Sequence, residues 1–504
     1  MFSLQLNKNL QTKNLTYLKC FLFITGIITM LHSCKIEENT SKDPSLLLEF
    51  HNNEVDDTHS EIDTLLFDTL LVNFGSITKI FKAVNPHNVA VSVSSIELMG
   101  GNESQFRLNI DGVTTNTATD VLIEPNDSIY IFAEVTIDPS DINNPFIVDD
   151  SVRFNLNGNI QFVKLLAYGQ NAHFVVADTL TQTTTWTDDK PYVIVGYVLI
   201  DSLQTLNIME GVNVHLYNGA SIVAKGNLNV LGTPDSIVSF SGTRLEYDYQ
   251  TLPGQWGGIY LGRKTTNRIE YAEIRNAVVG LAIGLDINEQ GYELPFEQYS
   301  YDNITNCTLN NCIVNNSLGP NLLSIFANIT ATNCLFYDAN QSISLNWGGI
   351  QQFTHCTMGS RARFNPNNQP LLRLSNGYAA SSAESDSIFI FVATIDASFT
   401  NCLISGSLDQ EIIYDPVAGY EDELIYRFEN CILNNDTISS NIDRKINCLF
   451  DVEVMFADLQ NRDFNLTENS AAINKGTVTD VLTDLSGQMR SDSQPDIGCY
   501  EYIP

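Results

Sequence analysis

A dipeptide, Asn-Cys or in one copy His-Cys, recurs through the second half of the chain and constrains the fold more than any other sequence feature. Its cysteines are separated by 27, 22, 46, 29 and 17 residues, and the step of 46 reads as two coils of 23 with one degenerate copy. The six copies that give this spacing carry Cys307, Cys334, Cys356, Cys402, Cys431 and Cys448. A repeat of this length, built from a short alternating strand and turns, predicts a solenoid.

The spacing also bears on the role of these cysteines. A residue repeated once per coil lies about 4.8 Å from its copy in the next coil, and beside apolar neighbours a cysteine acts as a small buried filler. Ala272 occupies the Cys slot in the segment Ile269–Ile274, which favours packing over chemistry. We expect a buried, reduced ladder that reacts with thiol reagents only after unfolding. Disulfides are the alternative, and a zinc site is disfavoured because its ligands would lie in a row.

The N-terminus has the pattern of a lipoprotein signal peptide at residues 1–33. Lysines precede an apolar stretch from Cys20 to Leu31, which is too short to span a bilayer but fits a signal sequence. The stretch ends at Leu31-His-Ser-Cys34, which resembles a bacterial lipobox and implies lipidation of Cys34. A plain signal peptide is the alternative. The polar, acidic residues 34–61 predict a flexible tether.

The remaining chain divides into three parts, each with strand and turn signals. Residues 62–174 carry seven short alternating segments without a cysteine pair, which predicts an immunoglobulin-like β-sandwich. Residues 175–455 contain the repeat and form the predicted solenoid. Residues 456–504 are polar and rich in turn signals, which predicts a cap over the last coil. The sequence Trp-Gly-Gly-Ile occurs at Trp256 and again at Trp347, which predicts equivalent turns about four coils apart.

Several motifs together suggest a family. They are Gln255–Ile259, Asp463–Leu466, Ser470–Gly476 and Pro495–Glu501, with Ala471 and Asn474 at positions where the family pattern has Pro and Asp. The chain from about residue 60 resembles the right-handed parallel β-helix lipoproteins found on the surface of Bacteroidetes. The resemblance implies an all-β protein, in which an immunoglobulin-like sandwich precedes a right-handed parallel β-helix, and an outer-membrane, cell-surface location. It implies no activity, because the family is largely uncharacterised.

Residues that point to chemistry are few. The solenoid lacks the acidic and Gly-His-Gly motifs by which polygalacturonases resemble one another, and its basic residues are scarce. Arg361, Arg363 and Arg373 form one basic cluster, which would suit clamping of an anionic sugar. Three aromatic residues near turns are the candidates for stacking on sugar rings: Trp256, Tyr260 and Trp347. The alternative for the arginines is an ordinary exposed loop, and the alternative for the aromatic residues is packing within turns.

Charge and composition limit the classes of molecule that the protein could bind. A net charge of −33 disfavours binding to nucleic acid. It would suit calcium, but no motif supports a calcium site, so we expect neither a metal nor a cofactor. Nine Asp-Ser/Thr-apolar triplets resemble the O-glycosylation sequon of exported Bacteroidetes proteins. The favoured hypothesis is a monomeric, non-enzymatic surface lipoprotein that contacts glycans or matrix polymers. The alternative is a lyase or glycoside hydrolase that acts on an acidic polysaccharide at the solenoid flank.

Overall fold

The computed structural model describes residues 40–43, 45–52, 61–140, 145–288, 291–293, 303–360, 369–381, 388–434, 442–490 and 494–504. The predicted signal peptide and Cys34 lie outside these residues, as do Arg361 and Arg363. Every regular element described is a β-strand or a short 3-10 helix, so the all-β prediction is confirmed. No helix among these residues is long and apolar enough to cross a membrane. The 3-10 helices are Gly101–Glu103, Tyr247–Tyr249, Glu421–Glu423, Ile442–Arg444 and Leu459–Asn461.

The chain divides into two compact units. One falls within residues 1–67, 75–136 and 148–167, and the other within residues 68–74, 137–147 and 168–504. Each unit has its own pattern of strand pairing, antiparallel in the first and mainly parallel in the second.

In the part of the chain before the repeat region that the structure describes, ten strands form two five-stranded sheets, with orders β1-β3-β8-β5-β6 and β2-β10-β9-β4-β7. Strand β8 shows the alternation that one buried sheet face requires, with Ile129, Ile131 and Val135 buried and the residues between them more exposed. The strands are β1 Glu49–Asn52, β2 Thr64–Leu71, β3 Lys79–Val84, β4 Val91–Leu98, β5 Phe106–Ile110, β6 Val113–Thr114, β7 Thr117–Ile123, β8 Ser128–Val135, β9 Phe146–Leu156 and β10 Asn159–Gln170.

The predicted tether of residues 34–61 is wrong for its central part. Strand β1 lies within it and pairs antiparallel with β3, and Phe50 and Leu48 are buried. The backbone N–H of Leu48 donates to Oε1 of Gln161 at 2.9 Å. The short alternation of apolar residues before His51 is enough to add an edge strand, although the surrounding sequence is polar and acidic.

Among the described residues, thirty strands, β11 to β40, form the parallel region. Most of these strands belong either to an 18-stranded sheet or to a ten-stranded sheet. The ten-stranded sheet has the order β12-β14-β16-β19-β23-β26-β29-β34-β37-β39. Two hairpins, β21–β22 and β32–β33, are antiparallel. The strands are β11 His173–Leu180, β12 Thr184–Trp186, β13 Tyr192–Ile200, β14 Thr205–Met209, β15 Asn213–Ala224, β16 Asn227–Leu231, β17 Val238–Gly242, β18 Trp256–Gly262, β19 Thr266–Glu270, β20 Ala272–Arg275, β21 Ala277–Asn288, β22 Gly291–Glu293, β23 Thr305–Asn310, β24 Ile313–Asn315, β25 Pro320–Ile325, β26 Ala327–Thr332, β27 Leu335–Tyr337, β28 Gln341–Asn346, β29 Gly349–Thr354, β30 Thr357–Gly359, β31 Leu372–Ser375, β32 Gly377–Ser381, β33 Ile388–Val392, β34 Ile395–Thr400, β35 Leu403–Ser405, β36 Ile412–Asp415, β37 Leu424–Glu429, β38 Ile432–Leu433, β39 Lys445–Ile446 and β40 Leu449–Phe450.

One coil shows how the chain passes between the two sheets. From β26 in the ten-stranded sheet it turns at Asn333 into β27, turns at Asp338 into β28, and turns at Trp347 back into β29 of the ten-stranded sheet. All three turn residues have left-handed backbone conformations, with φ of 50°, 51° and 63°. The next turn of the first kind is at His355, 22 residues after Asn333 (355 − 333). The arrangement is compatible with a parallel β-helix.

Apolar side chains of the parallel region stack along its interior. Phe353, Phe399 and Phe428 occupy paired positions on three successive strands of the ten-stranded sheet. Their ring centroids are 5.0 and 4.7 Å apart, with interplanar angles of 10° and 13°. Such columns are what a repeated inward position produces when strands pair in register.

Two details of the predicted repeat are wrong. The step of 46 residues between Cys356 and Cys402 is one coil, because Thr357 pairs with Leu403 on adjacent strands, and the extra residues include the β32–β33 hairpin. The two Trp-Gly-Gly segments are not equivalent turns. Trp256 begins a strand and pairs with Ala277, whereas Trp347 follows the end of β28.

Candidate functional site

The cysteine ladder begins one motif later than predicted. Cys307 lies within β23, opposite Ile329, whereas Cys312 follows the turn residue Asn311, as Cys334 follows Asn333. Val238 and Ala272 precede Cys312 at the same position, because β17, β20 and β24 pair in register. The ladder is therefore Cys312, Cys334, Cys356, Cys402, Cys431 and Cys448.

These thiols are placed for packing. All the described cysteines are free, and all but the half-buried Cys448 are buried. Each ladder thiol donates to a nearby carbonyl, for example Cys334 Sγ to the carbonyl oxygen of Thr332 at 3.2 Å. Burial raises the pKa of the thiols of Cys312, Cys334, Cys356 and Cys402 well above the ordinary value, which leaves little nucleophilic thiolate.

The residue before each ladder cysteine makes the turn. Asparagine is the non-glycine residue that most readily adopts the left-handed conformation, and this position has φ between 50° and 54° at five asparagines and at His355. We call this column, together with the cysteines, the Asn–Cys corner. The asparagines are Asn311, Asn333, Asn401, Asn430 and Asn447.

The amides of the Asn–Cys corner bind the protein's own C-terminal segment. Asn430 Nδ2 donates to the carbonyl oxygen of Lys475 at 3.1 Å, and Asn401 Nδ2 to that of Thr477 at 2.7 Å. Further along, Asn333 Nδ2 donates to the carbonyl of Thr483 at 2.6 Å, and Asn311 to that of Asp484 at 3.2 Å. As the C-terminal chain advances it therefore meets earlier and earlier coils.

This arrangement corrects the predicted role of residues 456–504 as a cap over the last coil. The segment runs back along the Asn–Cys corner, as far as the coil of Asn311. A buried arginine holds its end. Arg490 pairs with the carboxylate of Glu501, and its Nη2 donates to the carbonyl of Gly498 and to Oδ1 of Asn333, both at 3.0 Å. Asp484 and Asp496 accept hydrogen bonds from backbone N–H groups of the same segment. We call the C-terminal segment from Lys475 to Glu501, which these bonds hold together against the Asn–Cys corner, the clasp.

His355 lies inside this clasp. Its side chain is fully buried, and its Nε2 lies 2.9 Å from Nδ2 of Asn401. Burial, with a smaller contribution from the positive charge of Arg490, lowers the pKa of His355 to about 3. The imidazole is therefore neutral at physiological pH, as suits a packed turn residue beside an arginine.

The three aromatic candidates are not exposed for stacking on a sugar. Trp256 is fully buried in the core of the parallel region, and its Nε1 donates to the carbonyl of Arg275 at 2.8 Å. Tyr260 and Trp347 come together in a separate cluster with Ile325, where they are 4% and 3% exposed. Their ring faces are covered, so the prediction of an aromatic platform fails for these residues.

The basic cluster is only partly described. Arg361 and Arg363 lie outside the described residues. Arg373 lies on β31 and pairs with the carboxylate of Asp415 on the neighbouring strand β36. Its guanidinium is therefore already engaged by a carboxylate of the same sheet. Among the described residues, no group of three or more His, Cys, Asp or Glu side chains could hold a metal ion.

The ten-stranded sheet presents a surface that was not predicted as a site. Its outward residues line up strand by strand in three exposed or half-buried columns, which we call the open face. The first column is Thr205, Asn227, Thr266, Asn306, Asn328, Ile350, Asp396 and Ile425; the second is Asn207, Asn229, Arg268, Thr308, Thr330, Gln352, Ser398 and Arg427; the third is Met209, Leu231, Glu270, Asn310, Thr332, Thr354, Thr400 and Glu429.

The middle of the open face is polar and uncharged. In the second and third columns, strands β23, β26, β29 and β34 contribute only hydroxyl and amide side chains, and these residues form the central block: Thr308, Thr330, Gln352, Ser398, Asn310, Thr332, Thr354 and Thr400. The side chains of Thr330, Gln352 and Ser398 make no hydrogen bond with any described residue, so they are free to pair with a ligand.

Charges on the open face lie mainly at the two ends of the central block. Arg268 pairs with Glu270 at 2.8 Å on β19, and Arg427 pairs with Glu429 at 3.0 Å on β37. Each pair lies within one strand, which neutralises both ends locally. The surface therefore suits a ligand recognised through many hydroxyl groups rather than through its charge.

The sequence did contain a signal for the open face. Alternation along a strand identifies outward as well as inward positions, and outward positions recur at the coil period. The inward cysteines repeat strictly, whereas the outward threonines and asparagines vary in type from coil to coil. Only the strand register shows which of them are neighbours.

Comparison with known proteins adds little. No family model and no curated protein matches the chain. Among solved structures, it is similar to a family 123 glycoside hydrolase from Clostridium perfringens (9% identity, TM-score 0.16), over 22% of this chain and 25% of that one. It is also similar to the VesB protease of Vibrio cholerae (10%, 0.16), over 24% and 31%. A third likeness is to an ASH/PapD-like domain of human CEP192 (14%, 0.16), over 28% and 94%. The chain spans about a quarter of the length of the first of these proteins.

Proposed function

We propose that the protein is a lipid-anchored cell-surface protein that binds a polysaccharide strand on the open face. In this proposal Cys34 carries the lipid, the antiparallel unit is an immunoglobulin-like spacer, and the parallel region is a right-handed β-helix of the kind found in Bacteroidetes surface lipoproteins. The protein acts without catalysis and without a cofactor.

The observation that carries this proposal is the central block. It places hydroxyl and amide groups on four successive strands about 4.8 Å apart, and three of these side chains have no partner among the described residues. A polysaccharide presents a matching series of hydroxyl groups, each able to donate and accept. Many weak, regularly spaced hydrogen bonds give affinity for a long chain where one sugar would bind poorly.

The enzymatic alternative finds less support on this surface. Glycoside hydrolysis needs two carboxylates on either side of one bond. The described carboxylates of the open face are Glu270, Asp396 and Glu429, and the first and last are paired with arginines of their own strands. This distribution favours binding over hydrolysis.

The glycan proposal is tested with the full chain on a panel of neutral and acidic polysaccharides. Thr330 and Gln352 are neighbours on β26 and β29, so the double variant Thr330→Lys/Gln352→Lys puts two adjacent charges on the central block. We expect it to lose binding to every polysaccharide that the native protein retains. The control, Thr119→Lys, changes an exposed strand residue of the antiparallel unit. Equal binding by native protein and double variant would contradict the proposal.

The membrane anchor is tested separately. Growth with a labelled fatty acid should label the native protein, and Cys34→Ser should abolish the label. A labelled Cys34→Ser protein would place the lipid elsewhere, and an unlabelled native protein would remove the anchor from the proposal.

A further inference from the structure

A pocket at one corner of the parallel region gathers positive charge. It has a volume of about 360 Å³, and Lys225, Arg263 and Lys264 line it together with Ser202 and Asn303. The chain as a whole has only 26 basic residues against 59 acidic ones, and none of the described residues that line this pocket is acidic.

The strand register brings these residues together. Ile200, at the end of β13, pairs with Ala224, at the end of β15, and Ala224 pairs with Leu261 near the end of β18. The residues that follow these three strands therefore leave the sheet at the same corner, one coil above another. Ser202, Lys225 and Arg263 are thus neighbours in space although they are separated in sequence.

The backbone at this corner is held firmly. Lys225 N–H donates to the carbonyl of Ile200 at 2.9 Å, and Lys264 N–H donates to that of Asn303 at 3.2 Å. A Cβ on Gly226 would lie 2.2 Å from the carbonyl oxygen of Gln204, so the turn after Lys225 packs too closely for any larger residue. The backbone of Lys225 and Lys264 is therefore held in place, so a ligand would need to order only their side chains.

Two of the three cations are unused by the fold. The ammonium groups of Lys225 and Lys264 form no ion pair or hydrogen bond with any described residue. The nearby carboxylate of Asp201 accepts from the backbone N–H of Ser202 at 2.7 Å. Charges farther away than about 8 Å are largely screened at physiological ionic strength, so the net charge of −33 does not cancel these cations.

We propose that this pocket binds the carboxylate of an acidic sugar residue, with Lys225 and Lys264 around the anion and Ser202 and Asn303 near the ring hydroxyls. Arg263 already has an interaction partner within the protein, so the ammonium groups of Lys225 and Lys264 supply the charge-assisted contacts to the carboxylate. The volume is at the lower end of the range for small-ligand sites, which suits one end or one branch of a saccharide. The inference rests on the proposed glycan function for the source of the sugar, but it concerns a different surface.

The test is calorimetric titration of the full chain with an oligogalacturonate, and with the uncharged oligogalactose of the same length as the comparison. We expect the acidic oligosaccharide to bind and the neutral one not to bind this pocket. Lys225→Gln/Lys264→Gln should weaken the acidic ligand about tenfold or more, because two charge-assisted contacts are lost. The control, Lys42→Gln/Lys164→Gln, removes the same charge from exposed positions of the antiparallel unit and should bind like the native protein.

Four outcomes would overturn the inference: no binding of the oligogalacturonate, equal binding by the Lys225/Lys264 variant, equal loss in the control, or tighter binding of a sulfated oligosaccharide. The open-face variant Thr330→Lys/Gln352→Lys separates this result from the proposed function. If it loses the neutral polysaccharides while the pocket variant keeps them, the open face is supported whatever the oligogalacturonate does. If only the pocket variant loses its ligand, the pocket stands and the open face falls.

Discussion

The Asn–Cys corner and the open face are both columns of side chains repeated once per coil, yet the fold uses them in opposite ways. At the Asn–Cys corner the asparagine amides form hydrogen bonds with the chain's own C-terminal segment, such as the two between Asn401 and the backbone of Thr477. On the open face Thr330 and Gln352 are exposed and have no partner among the described residues.

The difference teaches where to look for function in a repeat protein. The position that repeats most strictly in sequence is the one where the backbone must adopt a left-handed turn, immediately before a buried cysteine. The positions that vary among threonine, serine, asparagine and glutamine share only a direction, outward, and a polar character. Strict repetition thus marks the scaffold, and the candidate binding surface lies where repetition is looser.

The largest contrast should come from two arginine ion pairs. Arg490→Met at the clasp leaves Glu501 and Oδ1 of Asn333 without their partner, and we expect a loss of about 3–5 kcal/mol in the free energy of unfolding. The exposed pair of Arg427 and Glu429 on the open face is the control, and Arg427→Met should cost less than about 1 kcal/mol. Urea unfolding measures both, and similar losses would show that the C-terminal segment is not a clasp.

A second contrast concerns two uncharged polar residues. Asn401→Ala places alanine at φ 54° and leaves the N–H and C=O of Thr477 without the amide, so we expect a loss of about 3 kcal/mol. Asn401→Gly should recover about 1 kcal/mol of this, since glycine removes the backbone strain but not the lost hydrogen bonds. Thr330→Ala should stay within about 0.5 kcal/mol. The order of the three unfolding free energies is decisive, and an Asn401→Ala protein as stable as Thr330→Ala would refute the structural role.

A third contrast depends on pH. The pKa of His355 is lowered to about 3 in the folded protein, so the unfolded chain binds the extra proton as pH falls below about 6.5. The folded state therefore loses stability on acidification, by about 2 kcal/mol at pH 5 relative to pH 7 from this residue. His355→Asn restores the residue found at the neighbouring coils and should remove that part of the loss. Unfolding curves at the two pH values give the difference, and the same pH dependence in the variant and the native protein would mean that folding does not lower the pKa of His355.

Much of the scaffold was accessible from the sequence, because period and alternation are local properties of the chain. They predicted the all-β class and the change to a repeating region with parallel strands. They did not separate Cys307 from Cys312, since both follow an asparagine within five residues of one another. Only pairing with the next coil distinguishes them, although the even spacing of 22 residues from Cys312 to Cys334 and from Cys334 to Cys356 was a usable clue.

The candidate sites were predicted less well, for a physical reason. Whether Trp347 or Tyr260 is exposed depends on what packs against the outside of the sheet, and the repeat period of the sequence carries no information about that packing. The path of the C-terminal segment rests on hydrogen bonds between residues far apart in sequence, such as Asn311 and Asp484. The basic pocket likewise joins turns of successive coils, and no local motif links Lys225 to Lys264.

The contrast between buried corner and open face is tested most directly by thiol labelling of the Thr330→Cys variant, read by peptide mapping. In the native state the introduced thiol should react at once with a maleimide, and Cys312, Cys334, Cys356, Cys402 and Cys431 only after denaturant is added, since all five are buried. Cys448, which is half-buried, should fall between them. Rapid labelling of the five buried thiols in the native protein, or protection of the introduced thiol, would contradict the account.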